Sequence, residues 1–65
     1  MTSSELLRRL RRAGAQVVSD RGRGGHVMVM LNGRRAFVPT GSGEIKRGTL
    51  LGILKQLGLR LDDLR

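Results

Sequence analysis

Residues 26–39 read HVMVMLNGRRAFVP, in which two apolar runs are joined by Asn32-Gly33. Asparagine followed by glycine is a strong short-range signal for a β-hairpin, because both residues tolerate the positive φ angles of a type I′ turn. The sequence therefore predicts a strand over residues 26–31 and a returning strand over residues 34–38. Pro39 ends the second strand, since proline has no N–H to donate to a strand ladder.

A two-residue turn fixes the hairpin register, and the register separates the two faces of the sheet. The predicted cross-strand pairs run from Leu31–Arg34 through Met28–Phe37 to Val27–Val38. One face carries small or β-branched side chains that suit helix packing: Val27, Val29, Ala36 and Val38. The other face mixes large apolar groups with two basic ones: His26, Met28, Met30, Arg35 and Phe37.

Two amphipathic helices are expected to flank the strands. In the first, over residues 2–13, Thr2 and Glu5 match a capping box, and Gly14 is a natural stop. Its apolar stripe consists of Leu6, Leu7, Leu10 and Ala13. The second helix is predicted to begin at Thr49 as N-cap and to end at Gly58, with Gly52 placed for close approach to the sheet. Its apolar stripe consists of Leu50, Leu51, Ile53, Leu54 and Leu57, and residues 59–64 would add a further turn.

A weaker strand over residues 15–20, centred on Val17 and Val18, completes the pattern. The order helix-strand-strand-strand-helix predicts an α+β fold of the double-stranded-RNA-binding-domain plan. Residues 1–65 would then form one domain with a three-stranded antiparallel sheet and both helices on one face. Two helices cannot cover both faces, so we expect the face with Met28 and Phe37 to meet a protein partner or a second copy. The alternative is that C-terminal residues fold back over it.

The charge balance points to a polyanionic partner. Lys and Arg number 13 against 5 acids, a net charge of +8, and eleven of the thirteen are arginine, whose planar fork suits bidentate phosphate contacts. RNA and DNA fit this composition equally, although a single aromatic residue disfavours base stacking as the main binding mode. The arginines of the first helix, Arg8, Arg9, Arg11 and Arg12, could contact phosphate or stay solvated.

Composition also narrows the class of protein. The chain contains no cysteine and no apolar stretch of membrane-spanning length, so we expect a cytoplasmic protein without membrane attachment. Its five acids are scattered except for Asp62-Asp63, and no metal or other cofactor is expected.

His26 is the only histidine and the best candidate for proton transfer near neutral pH. It follows the loop Arg21-Gly22-Arg23-Gly24-Gly25, which could be a generic flexible turn or a phosphate cradle. Taken alone, His26 fits a structural or incidental role better than a catalytic one.

The chain as a whole resembles the HicA family. The resemblance rests on Gly25-His26 leading a strand, on Val38-Pro39 closing the hairpin, and on the block from Glu44 to Leu50 followed by Ile53-Leu54-Lys55-Gln56 and Gly58-Leu59. HicA proteins are toxins of HicBA toxin–antitoxin systems with a double-stranded-RNA-binding-like fold. The resemblance implies an mRNA interferase, an endoribonuclease held inactive by a HicB antitoxin.

The position of the family's catalytic histidine corresponds to His26, which would act as general acid or base without a metal. The candidates for holding RNA phosphates are Arg21, Arg23, Gly25, Lys46 and Arg47. The expected interface with an antitoxin or a second copy comprises Met28, Met30, Arg35 and Phe37. A non-catalytic RNA-binding module of the same fold is the main alternative, and a small basic DNA-binding protein is a third.

Overall fold

The computed structural model contains two α-helices and three strands, and it describes residues 1–19, 26–40 and 43–64. The elements follow in the order α1 (Ser3–Arg12), β1 (Gln16–Ser19), β2 (His26–Leu31), β3 (Arg34–Pro39) and α2 (Arg47–Leu57). A short 3-10 helix, Leu61–Leu64, comes after α2. The strands form one antiparallel sheet in the order β1-β2-β3, so β2 is its central strand. The predicted α+β architecture is confirmed.

The hairpin between β2 and β3 has the predicted register. Asn32 and Gly33 adopt φ angles of 52° and 79°, the left-handed pair that a type I′ turn requires. The pairs extend from Leu31–Arg34 to Val27–Val38 as predicted, and β3 continues one residue further, so that Pro39 lies opposite His26. An edge strand tolerates this proline because the missing N–H need not serve a further strand.

The core lies between the sheet and the two helices. Val29, Ala36 and Val38 are each at most 1% exposed on the predicted packing face, while Val27 is half-buried. Helix α1 covers this face with Leu6 and Leu10, and α2 covers it with Leu50, Ile53, Leu54 and Leu57. The capping of α1 is as predicted in part: the Glu5 N–H donates to Thr2 Oγ1 at 3.2 Å and Gly14 takes a φ of 100°, but the Glu5 carboxylate accepts from Arg9 and no described bond joins it to the Thr2 N–H.

Both helices begin at the same end of the sheet. The hydroxyl of Ser3, at the start of α1, donates to the Pro39 carbonyl, whereas Gly14, after the end of α1, lies beside Leu31. Gly58, after the end of α2, lies beside Arg34. We call the end with His26 and Pro39 the histidine end, and the end with Asn32 and Gly33 the turn end.

Three details predicted for α2 are wrong. The helix starts at Arg47 with Lys46 as N-cap, three residues before Thr49, and no side chain caps it. Leu51 is 41% exposed, because its position lies about 100° around the helix from that of Leu50. Gly52 is exposed, and a Cβ built on it would meet nothing within 4 Å, so it does not provide close approach to the sheet.

The C-terminal segment packs on the helical side of the sheet. Leu64 is 4% exposed within the core cluster, and the 3-10 helix contacts α1. The further turn predicted for residues 59–64 is therefore present. In the part of the chain that the structure describes, the alternative that C-terminal residues cover the opposite face is wrong.

Candidate functional site: the open face of the sheet

The face of the sheet opposite the helices is open, as the sequence predicted. Phe37 is 53% exposed and Met30 38% exposed, and Arg35 is exposed beside them. Met28 is half-buried, and so is Val18, which β1 contributes through its pairing with Met28. These residues, together with Gln16 and His26, form what we call the open face. It is an apolar surface about three strands wide with basic groups at its margins.

Val18 and Gln16 are members of this face that sequence reasoning did not assign. The register between β1 and β2 places them opposite Met28 and Met30. No two-residue turn joins these strands, so the sequence offers no geometric rule for their register. Alternation along β1 shows that Val17 and Val18 lie on opposite faces, but not which of them faces the helices. In the structure Val17 packs against the core.

His26 lies at one end of the open face, on the first residue of the central strand. Its side chain is exposed and shares the face with Met28 and Phe37. Among the residues that the structure describes, none makes a hydrogen bond or an ion pair with the imidazole. Within this part of the chain both ring nitrogens are left unbonded, whereas a histidine of a packed core would be hydrogen-bonded to its neighbours.

The N-terminal residues bind both Pro39, which lies opposite His26, and the segment before α2. Ser3, which is 5% exposed, donates its hydroxyl proton to the Pro39 carbonyl at 2.5 Å, and its N–H donates to the Gly43 carbonyl at 2.9 Å. The Ile45 N–H donates to the Met1 carbonyl at 2.9 Å. Sequence reasoning missed Ser3, because a serine in a first helical turn ordinarily indicates capping rather than a long-range contact.

Lys46 and Arg47 lie at the start of α2, near the histidine end. Both are exposed, and the first turn of α2 contains no acidic residue. The free backbone N–H groups and the positive pole of the helix add to their charge. The strands turn the His26 side chain away from the helical layer, so these two cations share an end of the sheet with His26 but not a face.

The remaining predicted phosphate contacts, Arg21, Arg23 and Gly25, lie outside the described residues. Those predicted for the partner interface all lie on the open face: Met28, Met30, Arg35 and Phe37. Met28 and Phe37 are opposite each other near the middle of the strands, whereas Met30 and Arg35 are opposite each other nearer the turn end.

The arginines of α1 divide into two pairs. Arg9 donates to a Glu5 oxygen at 2.8 Å and Arg8 lies 3.9 Å from the same oxygen, so Glu5 partly neutralises both. Arg11 and Arg12 are exposed in the last turn. Over residues 1–19, 26–40 and 43–64, no group of three or more side chains of the types His, Cys, Asp and Glu is placed to hold a metal ion. No helix in those ranges is both long and apolar enough to cross a membrane.

Comparison with known proteins identifies a family that the chain matches. A family model described as the HicA toxin of bacterial toxin–antitoxin systems matches residues 3–59 of the 65-residue chain. The matched range extends from the first residue of α1 past the end of α2 and includes His26. No protein of established function in a curated collection matches the chain significantly. With a match over most of its length and the predicted α-β-β-β-α order, the chain belongs to the HicA family of toxins.

Proposed function

We propose that this toxin is an endoribonuclease that cleaves mRNA and that His26 is its general acid or base. The observation that supports the proposal is the exposed imidazole at the end of the central strand, which has no hydrogen-bond or ion-pair partner within residues 1–19, 26–40 and 43–64. A histidine kept for folding would be buried or hydrogen-bonded to its neighbours, whereas this one is open to a substrate. Its position also lies within the range that matches the family.

The proposed reaction needs a proton acceptor and a proton donor. The substrate's 2′-oxygen attacks the adjacent phosphorus as it loses its proton, the bond from phosphorus to the 5′-oxygen breaks, and that oxygen gains a proton. Histidine can accept the first proton or donate the second, and water serves the other half-reaction. Because the attacking group is a 2′-hydroxyl, the mechanism requires RNA and excludes DNA.

Positive charge is needed where the phosphate becomes crowded with negative oxygens in the transition state. Lys46 and Arg47 are exposed at the same end of the sheet as His26, on a helix terminus whose dipole attracts anions. We propose that they bind the phosphates flanking the cleaved bond. Arg21, Arg23 and Gly25 directly precede His26 in the sequence, and we propose the same role for them.

Cleavage of single-stranded RNA in the presence of EDTA tests the role of His26. We expect His26→Ala to lower the rate at least about 100-fold, the lower range for a positioned acid or base. The matched control is Gln16→Ala, which removes another exposed polar side chain from the open face near the turn end and should leave the rate unchanged. Equal cleavage by wild type and His26→Ala would refute the assignment. RNA binding without cleavage by either protein would favour a non-catalytic RNA-binding module.

We further propose that a HicB-like antitoxin binds the open face and thereby covers His26. The exposed Phe37 and Met30 supply an apolar surface, and Arg35 and His26 favour a partner with carboxylates around its own apolar patch. Aromatic residues at the centre of such surfaces often dominate the binding energy.

Phe37→Glu tests this interface. We expect it to weaken antitoxin binding by about 30-fold or more, the effect of losing an aromatic anchor worth about 2 kcal/mol. Leu51→Glu is the matched control, since Leu51 is also exposed but lies on the helical side of the sheet. Titration calorimetry measures the antitoxin dissociation constant of each variant. Equal constants for the two variants would exclude the open face as the antitoxin interface. Sedimentation of the toxin alone would show whether Phe37 instead joins two copies.

A further inference from the structure

The turn end of the molecule gathers basic side chains from every layer of the fold. The last turn of α1 ends beside Leu31, β3 starts at the turn, and Gly58 after α2 lies against Arg34. Six exposed cations therefore collect at this end: Arg11, Arg12, Arg34, Arg35, Lys55 and Arg60. The ion pairs among the described residues include none of these six side chains.

Acidic residues are few in this region. Glu5 and Glu44 are at the histidine end, where Glu5 is in the first turn of α1 and Glu44 is bridged to Thr2. Asp63 accepts the Arg60 N–H at 2.8 Å, and Asp62 is engaged as well. Among the residues that the structure describes, the six cations thus outnumber the acids at this end, and much of their charge is available to an external anion.

Helix dipoles explain only part of this arrangement. Arg11, Arg12 and Lys55 are in the last turns of their helices, where cations interact favourably with the negative pole. Arg34 lies across the end of α2, with its Nε 3.3 Å from where a Cβ at Gly58 would be. Arg35 and Arg60 belong to neither helix, and Arg35 lies on the open face. A purely stabilising role does not require cations at these positions.

We propose that the turn end is a second phosphate-binding region, which anchors the RNA strand away from the bond that is cut. This inference rests on the proposed RNA substrate. The six residues of β2 separate the two ends by about 17 Å at 3.3–3.4 Å per residue. A stacked single strand rises roughly 3.4 Å per nucleotide, so about five nucleotides would connect His26 with the turn end. The cations there would bind any sequence, since phosphate contacts carry no base information.

The experiment measures RNA binding in the His26→Ala background with a 2′-O-methyl RNA, which lacks the attacking 2′-hydroxyl and therefore stays uncut whether or not His26 is catalytic. Fluorescence anisotropy with a 15-nucleotide single-stranded RNA gives the dissociation constant between 50 and 200 mM salt. Each phosphate neutralised on a single strand contributes about 0.7 to the slope of log K against log salt. Two double variants, Arg11→Gln/Arg12→Gln and Lys55→Gln/Arg60→Gln, should each lower that slope by up to about 1.4.

Arg8→Gln/Arg9→Gln is the matched control, because it changes net charge equally on the same helix but removes arginines that already contact Glu5. Thermal melts confirm that each variant is folded. Slopes that fall in the turn-end variants but not in the control support the proposal. Slopes that match wild type in both turn-end variants, or fall equally in the control, overturn it. Because this assay measures binding and not cleavage, it can support or overturn the turn-end proposal independently of whether His26 is catalytic.

Discussion

The two faces of the sheet use alternate residues of the same strands for opposite purposes. Val38 is fully buried beneath the helices, whereas its neighbour Phe37 is 53% exposed on the open face. The same contrast holds between Val29 and Met30 in the central strand. One face supplies the hydrophobic stabilisation of a small fold, and the other leaves large apolar groups in water. Exposed apolar surface of this kind is typical of a binding site, which agrees with the proposed antitoxin interface.

The contrast between the faces fits the proposal that this 65-residue chain has a binding surface as well as a core. Nearly all of its buried apolar side chains are in one layer between sheet and helices. The second face is then free of packing constraints, and its residues can be selected for binding. We therefore expect substitutions on the two sides to separate stability from function.

The largest expected effect is loss of a core residue from α2. Leu54 is 1% exposed, so Leu54→Ala should lower the free energy of unfolding by about 2–5 kcal/mol, a large share of the roughly 3–10 kcal/mol expected for a chain of this size. Leu51→Ala on the same helix should cost well below 1 kcal/mol, because Leu51 is already 41% exposed. Urea unfolding measures both. Similar losses would contradict the division of α2 into a packed and an exposed side.

A smaller effect is expected at two glycines of the helical layer. Gly58 has a φ of 74° and its missing Cβ would lie 3.3 Å from Arg34, so Gly58→Ala should destabilise the fold by about 1–2 kcal/mol. Gly52 lies within α2 with open space around it, and Gly52→Ala should stabilise the fold by about 0.5–1 kcal/mol. The signs of the two changes can be compared by thermal unfolding. A loss of stability in Gly52→Ala would indicate that Gly52 does approach the sheet closely, contrary to the open space seen around it.

The sequence predicted the hairpin because local chemistry determines it. Asn32-Gly33 specifies a turn of two residues, and such a turn leaves one register in which the small residues face one way. Thr2 and Gly14 likewise set the limits of α1 through contacts within a few residues. From that register came the prediction of an open face with His26 at its end, and the observed exposures agree with it.

The start of α2 was not predictable in the same way. Thr49 is a good capping residue, yet the helix begins at Arg47, after a segment held by Thr2–Glu44 pairing and by the Ile45 bond to Met1. Contacts between residues far apart in sequence thus set the position of the first turn. The role of Ser3 and the placement of Val18 on the open face depend on similar long-range contacts. Helical periodicity also predicted Leu51 to be buried. The buried stripe of α2 has four members, and Leu51 was added as a fifth because it is apolar and next to Leu50 in the sequence.

The function of the candidate site was also only partly predictable from the sequence. The residues alone favoured a structural or incidental role for His26, and only the resemblance to the HicA family pointed to catalysis. The fold adds that the imidazole is exposed at the end of the sheet where α2 begins with Lys46 and Arg47, although on the opposite face. The catalytic role of His26 remains a proposal, with its test in RNA cleavage.

The most direct test of the division between the two faces compares neighbouring residues in β3. Val38→Ala should lower the free energy of unfolding by about 2 kcal/mol, through lost burial and the cavity left behind. Phe37→Ala should cost less than about 1 kcal/mol, the range of one cross-strand contact with Met28. Urea denaturation of the two variants beside wild type measures this difference. A larger loss for Val38→Ala is the predicted result, and an equal or larger loss for Phe37→Ala would show that the open face is part of the core.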